Sequence, residues 1–243
     1  RESIGTMEDY QFKGTGDVIN CTVVHQAQTG YEMFGPYCMA IIKLDEGPKI
    51  TSQIVDCNPK TVKPGMKVID TCAGAGGKTL HLSALMENKG QIIAMDIYES
   101  KLRKLKVRAK RNKAHNIDMR VIDSTKPIKK LHGKADRVLI DAPCSGLGVI
   151  RRNPDSKWKL QPEFIDNIKK IQQEILQSYS KMVKPGGKLV YATCSILPSE
   201  NQNQVKTFLT SEAGKEFTFV SDKKVLAHIS GFDGFYMALL ERK

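Results

Sequence analysis

A chain of 243 residues that is 40% hydrophobic can bury one large core, or a large one and a small one. No apolar run approaches the ~20 residues that cross a bilayer, and no basic-then-apolar leader opens the sequence, so neither a membrane protein nor a secreted one is expected. The net charge of +12 points to a polyanionic partner, because a cationic surface gains affinity for nucleic acid by releasing counterions.

Residues 12–58 hold short β-type runs, "DVINCTVVHQA", "YCMAIIKLDEG" and "KITSQIVDC". Gly14, Gly16, Gly30, Gly35-Pro36 and Gly47-Pro48 punctuate them, a pattern that predicts a small antiparallel barrel or sandwich. The pattern changes at "KTVKPGMKV", where a Pro-Gly turn precedes a new set of strands. The predicted division is a β module over 1–61 and a second domain over 62–243.

Beyond the turn, apolar strands predicted at 66–71, 91–96, 136–141 and 188–193 alternate with helices predicted at 77–87, 99–114, 162–183 and 200–211. "GFYMALLERK" reads as a closing strand. In the 162–183 stretch, Ile165, Ile168, Ile171, Ile175, Tyr179 and Met182 recur at three- and four-residue steps and give one apolar face. Alternation of this kind predicts an α/β fold, a parallel sheet with helices on both faces. Residues 101–113, "KLRKLKVRAKRNK", carry eight Lys or Arg and no acid. They read either as a solvated helix face or as a surface for RNA phosphates.

The first parallel strand runs into a glycine-rich turn, "VIDTCAGAGGKTLHLSALM". Glycines let the backbone approach a ligand closely and leave N–H groups free at the next helix start. Phosphate-loop readings fail on spacing: a P-loop needs Gly where Cys72 stands, and G-x-G-x-x-G needs Gly where Thr79 stands. Acids recur at strand ends, at Asp70, Asp96, Asp123 and Asp141. In an open parallel sheet ligands bind beyond those ends. Asp96 is placed for ribose hydroxyls, Asp123 for an adenine amine and Asp141 for a cationic group. With Cys72, Ala73, Gly74, Ala75, Gly76, Gly77 and Lys78 forming the turn, these acids suit a nucleoside ligand carrying positive charge. S-adenosylmethionine matches that description. Lys78 either holds the turn or approaches the cofactor.

The six cysteines, at 21, 38, 57, 72, 144 and 194, form no C-x-x-C pair. Neither a disulfide framework nor a metal site is expected, and a reducing cytoplasm fits. Two of the cysteines end apolar runs, "RVLIDAPC" and "KLVYATC". Each alone reads equally well as a small core residue.

Together, "DTCAGAGGKT", "DAPCSGLGVIRRNPDSKW" and "YATCSILPSENQ" resemble the motifs of the Sun-type (RsmB-like) RNA cytosine-5-methyltransferases, from about residue 62 to the end. The resemblance implies a Rossmann-like class I methyltransferase fold, seven-stranded with its last strand antiparallel, and RNA, chiefly ribosomal, as partner. It implies Cys194 as the nucleophile toward carbon-6 of cytosine and Cys144 as the thiol that assists release, with Asp141 near the cofactor amine and the base. DNA cytosine methyltransferases attack instead with a Pro-Cys thiol, which would be Cys144, but the Thr-Cys segment and "RRNPDSKW" favour the RNA enzymes. Arg151, Arg152 and Lys157 then become candidate phosphate contacts, and Trp158 is expected to pack rather than stack on a base. The turn reads "CAGAGGKT" where many relatives have "CAAPGGKT".

Residues 1–60 depart from that family and lack its "F-x-V-Q-D-x-x-S" stretch. "GDVINCTVVHQAQTGYEMFGPYCMAIIKLDEGPKITSQIVDCNPKTVKPGMKV" instead resembles the OB-fold domain that accompanies archaeal thiolases and is linked to acyl-coenzyme A metabolism, without the zinc ribbon that normally precedes it. The chain thus reads as a fusion joined at a turn that both families could write. It either serves RNA methylation or, with a disabled second half, binds nucleic acid or acyl-coenzyme A without catalysis.

Overall fold

This computed structural model describes residues 16–24, 37–44, 49–54 and 65–243. The chain divides into two compact units, Arg1–Thr61 and Val62–Lys243. In the first, β1 (Gly16–Val24), β2 (Tyr37–Leu44) and β3 (Lys49–Ile54) form an antiparallel sheet in that order, with a register shift in β1 between Val18 and Asn20. The predicted turn residues Gly14, Gly30, Gly35, Pro36, Gly47 and Pro48 lie outside the described residues.

The second unit runs β4 (Lys67–Asp70), α1 (Gly77–Leu85), β5 (Gln91–Asp96), α2 (Glu99–Arg111), β6 (Ile117–Val121), α3 (Lys126–Lys129), β7 (Ala135–Asp141), α4 (Ser156–Lys159) and α5 (Pro162–Tyr179). It continues through β8 (Val183–Thr193), α6 (Gln202–Thr210), β9 (Phe217–Val225) and α7 (Ala227–Ser230) to β10 (Phe235–Arg242). The sheet order is β6-β5-β4-β7-β8-β10-β9. Pairs from β6 through β8 are parallel, whereas β10 is antiparallel to both of its neighbours. This is the seven-stranded, mostly parallel sheet that the motifs implied.

Continuous apolar runs belong to strands covered on both faces. In β5, Ile92, Ile93, Ala94 and Met95 are all buried, and Ile93 and Met95 join the main core with Val138, Ile140, Leu189 and Tyr191. Helix α2 turns Leu102, Leu105 and Ala109 inward at three- and four-residue steps.

Three details differ from expectation. The strand β9 carries no strong apolar alternation; it is an edge strand, exposed along most of "FTFVSDKKV". The helix predicted to reach 183 ends at Tyr179, and one 3₁₀ turn, Ser180–Met182, leads into β8. Its buried stripe is Ile168, Gln172, Leu176 and Tyr179, whereas Ile171 is exposed. Two four-residue steps and one of three set the stripe, and it runs through a glutamine that an apolar pattern passes over. Among the described residues no helix is long and apolar enough to cross a membrane.

Candidate active site

The sheet order reverses beside β4, and the loops leaving β4, β5, β6, β7 and β8 share one edge of the sheet. Such a reversal opens the crevice where ligands bind in α/β sheets. The glycine turn after β4 is held from β5. Ala73 donates its N–H to the Met95 carbonyl at 2.9 Å, and Gly74 donates its own to Asp96 Oδ2 at 2.9 Å. The other Asp96 oxygen accepts the Tyr98 N–H at 2.8 Å. Asp96 is therefore buried and fixes both the turn and the start of α2. Gly76, at φ +89°, sits so close to α2 that a Cβ there would stand 2.1 Å from Leu105 Cδ1, so only glycine fits. Ile97 and Tyr98, directly after Asp96, are exposed. Asp123 is exposed beyond the end of β6, hydrogen-bonded by Ser124.

Two side chains of this turn behave unlike the rest. Asp70 is fully buried; Thr79 donates to its Oδ2 at 2.7 Å, while Oδ1 has no partner. Burial lifts its pKa from 3.8 to about 7, with the Asp141 charge adding to the rise. Burial likewise pushes the Cys72 thiol up to about 12, which leaves it a neutral wall of the turn rather than a nucleophile. Lys78 pairs with Asp141 at 2.9 Å and lies over the Phe235 ring, 5.3 Å from its centre. The cationic group that Asp141 meets within the chain is thus Lys78.

Cys144 and Cys194 leave the adjacent parallel strands β7 and β8, and their sulfurs stand 3.3 Å apart. The hydrogen bond from Cys144 holds the Cys194 thiol below its ordinary pKa, and Lys78 lowers it further against the opposing effects of burial and Asp141. The same hydrogen bond, then burial, drive the Cys144 pKa strongly upward. Within the pair, Cys194 is thus the thiol that gives up its proton more readily and Cys144 the one that holds it.

Beneath the cysteines lies a network that motif reading did not assign. The Glu200 carboxylate is buried and accepts the Ser145 N–H at 2.8 Å, the Ser145 hydroxyl at 2.5 Å, the Ser195 hydroxyl, and Gln172 Nε2 at 3.2 Å. Asn201 accepts the Thr193 hydroxyl at 2.5 Å and donates to the Ser195 carbonyl at 2.9 Å. The segment 147–158 folds against 231–234: Gly148 bonds Cys194 and Gly234, Arg151 donates to the Gly231 carbonyl at 3.2 Å, and Arg152 pairs with Asp233 at 2.6 Å. Arg151, Arg152 and Lys157 are exposed. Trp158 does not pack as expected; it is 77% exposed, with Lys157 Nζ 4.9 Å from its ring centre. Along α2, every Lys and Arg from Lys101 to Arg111 is exposed. Among the described residues no group of three or more His, Cys, Asp or Glu could hold a metal ion.

The sequence profile of the 16S rRNA methyltransferase RsmB/F family matches residues 60–241. The chain belongs to the RsmB/F family. A second profile, the C-terminal OB-fold domain of ChsH2, matches residues 9–69. The two matches overlap over 60–69, the stretch containing the Pro64-Gly65 dipeptide.

Among RsmB/F relatives, the ribosomal RNA small subunit methyltransferase B of Photorhabdus laumondii is 38% identical over 185 residues, 74% of this chain and 43% of that protein. The probable counterpart in Bacillus subtilis is 33% identical over 215 residues, 82% of this chain and 47% of that protein. The chain spans less than half the length of these curated relatives. The crystal structure of NSun6 from Pyrococcus horikoshii with SFG is similar at a TM-score of 0.66 and 30% identity, covering 74% of this chain and 48% of that one.

In this RsmB/F domain, Glu200, Ser145, Ser195 and Gln172 are the residues that motif reading left without a role. The signals were present: "SENQ" was part of a motif, and a glutamine on a buried helical stripe seeks partners.

Proposed function

We propose that this domain transfers a methyl group from S-adenosylmethionine to carbon-5 of cytosine in RNA, with ribosomal RNA as the substrate class. The observation that carries the reading is the thiol pair: two cysteines from neighbouring strands, 3.3 Å apart, beside an Asp141–Lys78 ion pair. Carbon-5 of cytosine is a poor nucleophile, and covalent catalysis divides the difficulty. The Cys194 thiolate adds to carbon-6, and the displaced electron pair makes carbon-5 nucleophilic. Carbon-5 takes the methyl group as S-adenosylhomocysteine leaves. The carbon-5 proton then passes to water, its electron pair re-forms the double bond between carbon-5 and carbon-6, and the bond from carbon-6 to Cys194 sulfur breaks. Cys144 keeps its proton and offers it toward Cys194 sulfur, which suits a thiol that assists departure.

The donor set fits the cofactor. Each Asp96 oxygen accepts one backbone N–H and retains a second lone pair for a ribose hydroxyl. Asp123 stands exposed at the next strand end for an adenine amine, and exposed Ile97 and Tyr98 offer apolar surface beside them. When bound, the cofactor supplies an electrophilic methyl group. The exposed cations of α2 and of 151–157, with Trp158, suit a single or folded RNA strand. A reducing cytoplasm suits a pair of thiols that must stay unbridged to act.

The test uses RNA, S-adenosylmethionine labelled in its methyl group, and a denaturing gel. Cys194→Ala is expected to abolish methylation while still binding cofactor. Cys144→Ala is expected to trap protein on methylated RNA as a slow band that requires Cys194. A trapped band in the Cys194 variant that depends on Cys144 would reverse the roles, and unchanged methylation in both would end the mechanism.

A further inference from the structure

Glu200 touches neither reacting sulfur, yet it reaches both loops that carry them. Ser145 and Ser195 directly follow Cys144 and Cys194, and both hydroxyls donate to the same Glu200 carboxylate. The two hydroxyls also lie 3.2 Å from one another. Gln172 enters from α5 and splits its amide between Glu200 and the Pro143 carbonyl, at 3.2 and 2.9 Å, one residue before Cys144. Tyr191, in the strand that ends at the Cys194 loop, donates its hydroxyl to the Glu200 carbonyl at 2.7 Å.

All these partners are neutral. Burying a carboxylate among neutral donors is costly, and apolar packing would stabilise the fold as well. What the carboxylate adds is geometry, because four convergent donors to two oxygens leave both loops one common register.

We propose that Glu200 is the positioning residue of the thiol pair, a single carboxylate that locks Ser145 to Ser195 and so sets the approach of Cys144 to Cys194. The inference rests on the reading of these cysteines as the reactive pair. The Glu200 charge also lies on the Cys144 side and favours the proton staying there, while Lys78 and Asp141 act with opposite signs on Cys194.

The experiment reads the separation of the thiols without RNA or cofactor. Dibromobimane becomes fluorescent only once both arms have reacted with neighbouring thiols, and monobromobimane reports the access of each thiol singly. Cys144→Ala supplies the blank. In Glu200→Ala the bridging rate, divided by the single-thiol rate, is expected to fall on the order of 10–100-fold, the scale of a displacement near 1 Å. Glu200→Gln, whose amide can still accept from Ser145 while Ser195 turns to accept from it, is expected to retain more bridging than alanine.

Cofactor affinity by calorimetry should match the parent in both variants, and methyl transfer should lose kcat with KM for RNA little changed. Parent-like bridging in folded Glu200→Ala overturns the proposal. If that variant does not fold, parent-like bridging in both Glu200→Gln and Ser195→Ala overturns it. Parallel loss of cofactor affinity and bridging in Glu200→Gln also overturns it, since the residue would then only support the fold. A protein that bridges as expected but never methylates RNA would leave this inference standing and remove the proposed function.

Discussion

Gly148 donates its N–H to the Cys194 carbonyl at 2.8 Å, and a Cβ on Gly148 would stand 2.7 Å from that same oxygen. The Gly234 carbonyl would be closer still, at 2.1 Å. Both obstacles are backbone and cannot swing aside as a side chain does. Gly148→Ala should therefore push the Cys194 loop out of register and destabilise the domain by about 1–3 kcal/mol. Urea unfolding measures the loss, and methyl transfer should fall further than stability alone explains. An alanine variant with parent stability and activity would mean that this turn moves freely.

Asp70 makes stability depend on pH with an unusual sign. Its folded-state pKa, raised from 3.8 to about 7, means that the folded chain holds a proton the unfolded chain has released across that window. Stability then declines as pH rises from about 4 to about 7, and the burden persists above. Asp70→Asn removes the titration. The parent should lose stability relative to this variant over the window, by an amount on the order of a few kcal/mol. Unfolding curves at pH 4.5 and 8 decide it; a constant difference would mean that Asp70 titrates normally.

Asp96→Ala strips two backbone donors of their acceptor as well as the contact offered to ribose. S-adenosylmethionine binding is expected to weaken by roughly 1.5–3 kcal/mol. Calorimetry showing parent affinity would remove Asp96 from the pocket.

Helix α2 offers a test of RNA contact that leaves the cysteines alone. Lys104, Lys106 and Lys110 are exposed, and replacing them with Gln should leave the fold intact. If they meet phosphates, the slope of log affinity against log salt should flatten by roughly 0.9 per lost contact on duplex and 0.7 on single strands. An unaltered slope would confine RNA to the segment around Arg151 and Arg152.

Trp158→Ala should cost little stability, because the ring covers almost nothing. Stacking on an unpaired base would make the same change weaken single-stranded RNA binding by about 1–3 kcal/mol. Equal affinity of the variant for single strands would leave Trp158 without a nucleic-acid role.

The alternation of strand and helix after residue 66 was legible because each buried strand is a continuous apolar run and each long helix keeps its period. The strand β9 was not legible: as an edge it is exposed at Lys223 and Lys224 and shows little hydrophobic patterning. The two cysteines were legible through their motifs. Glu200 and Gln172 carried a signal, a motif position and a glutamine on a buried stripe, but their partners could not be read from it, since they come from distant segments, Ser145 lying 55 residues from Glu200. Trp158 misled for the opposite reason, since a large apolar side chain suggests burial that its short helix α4 does not provide.

The placement of β10 between β8 and β9 has a consequence for synthesis. Of the two strands that follow α6, the later one, β10, occupies the inner position, whereas β9, made just before it, must wait at the rim without a neighbour. Until Phe235–Arg242 has left the ribosome, the open side of β8 is an unpaired edge, and Tyr236, Ala238 and Leu240 are missing from the main core. Closure of the sheet is thus a late, long-range event. Since Gly234 bonds Gly148, which in turn bonds Cys194, the Cys194 loop is braced only once residues 231–234 have been made and folded back. A nascent chain therefore carries Cys194 before its loop is braced.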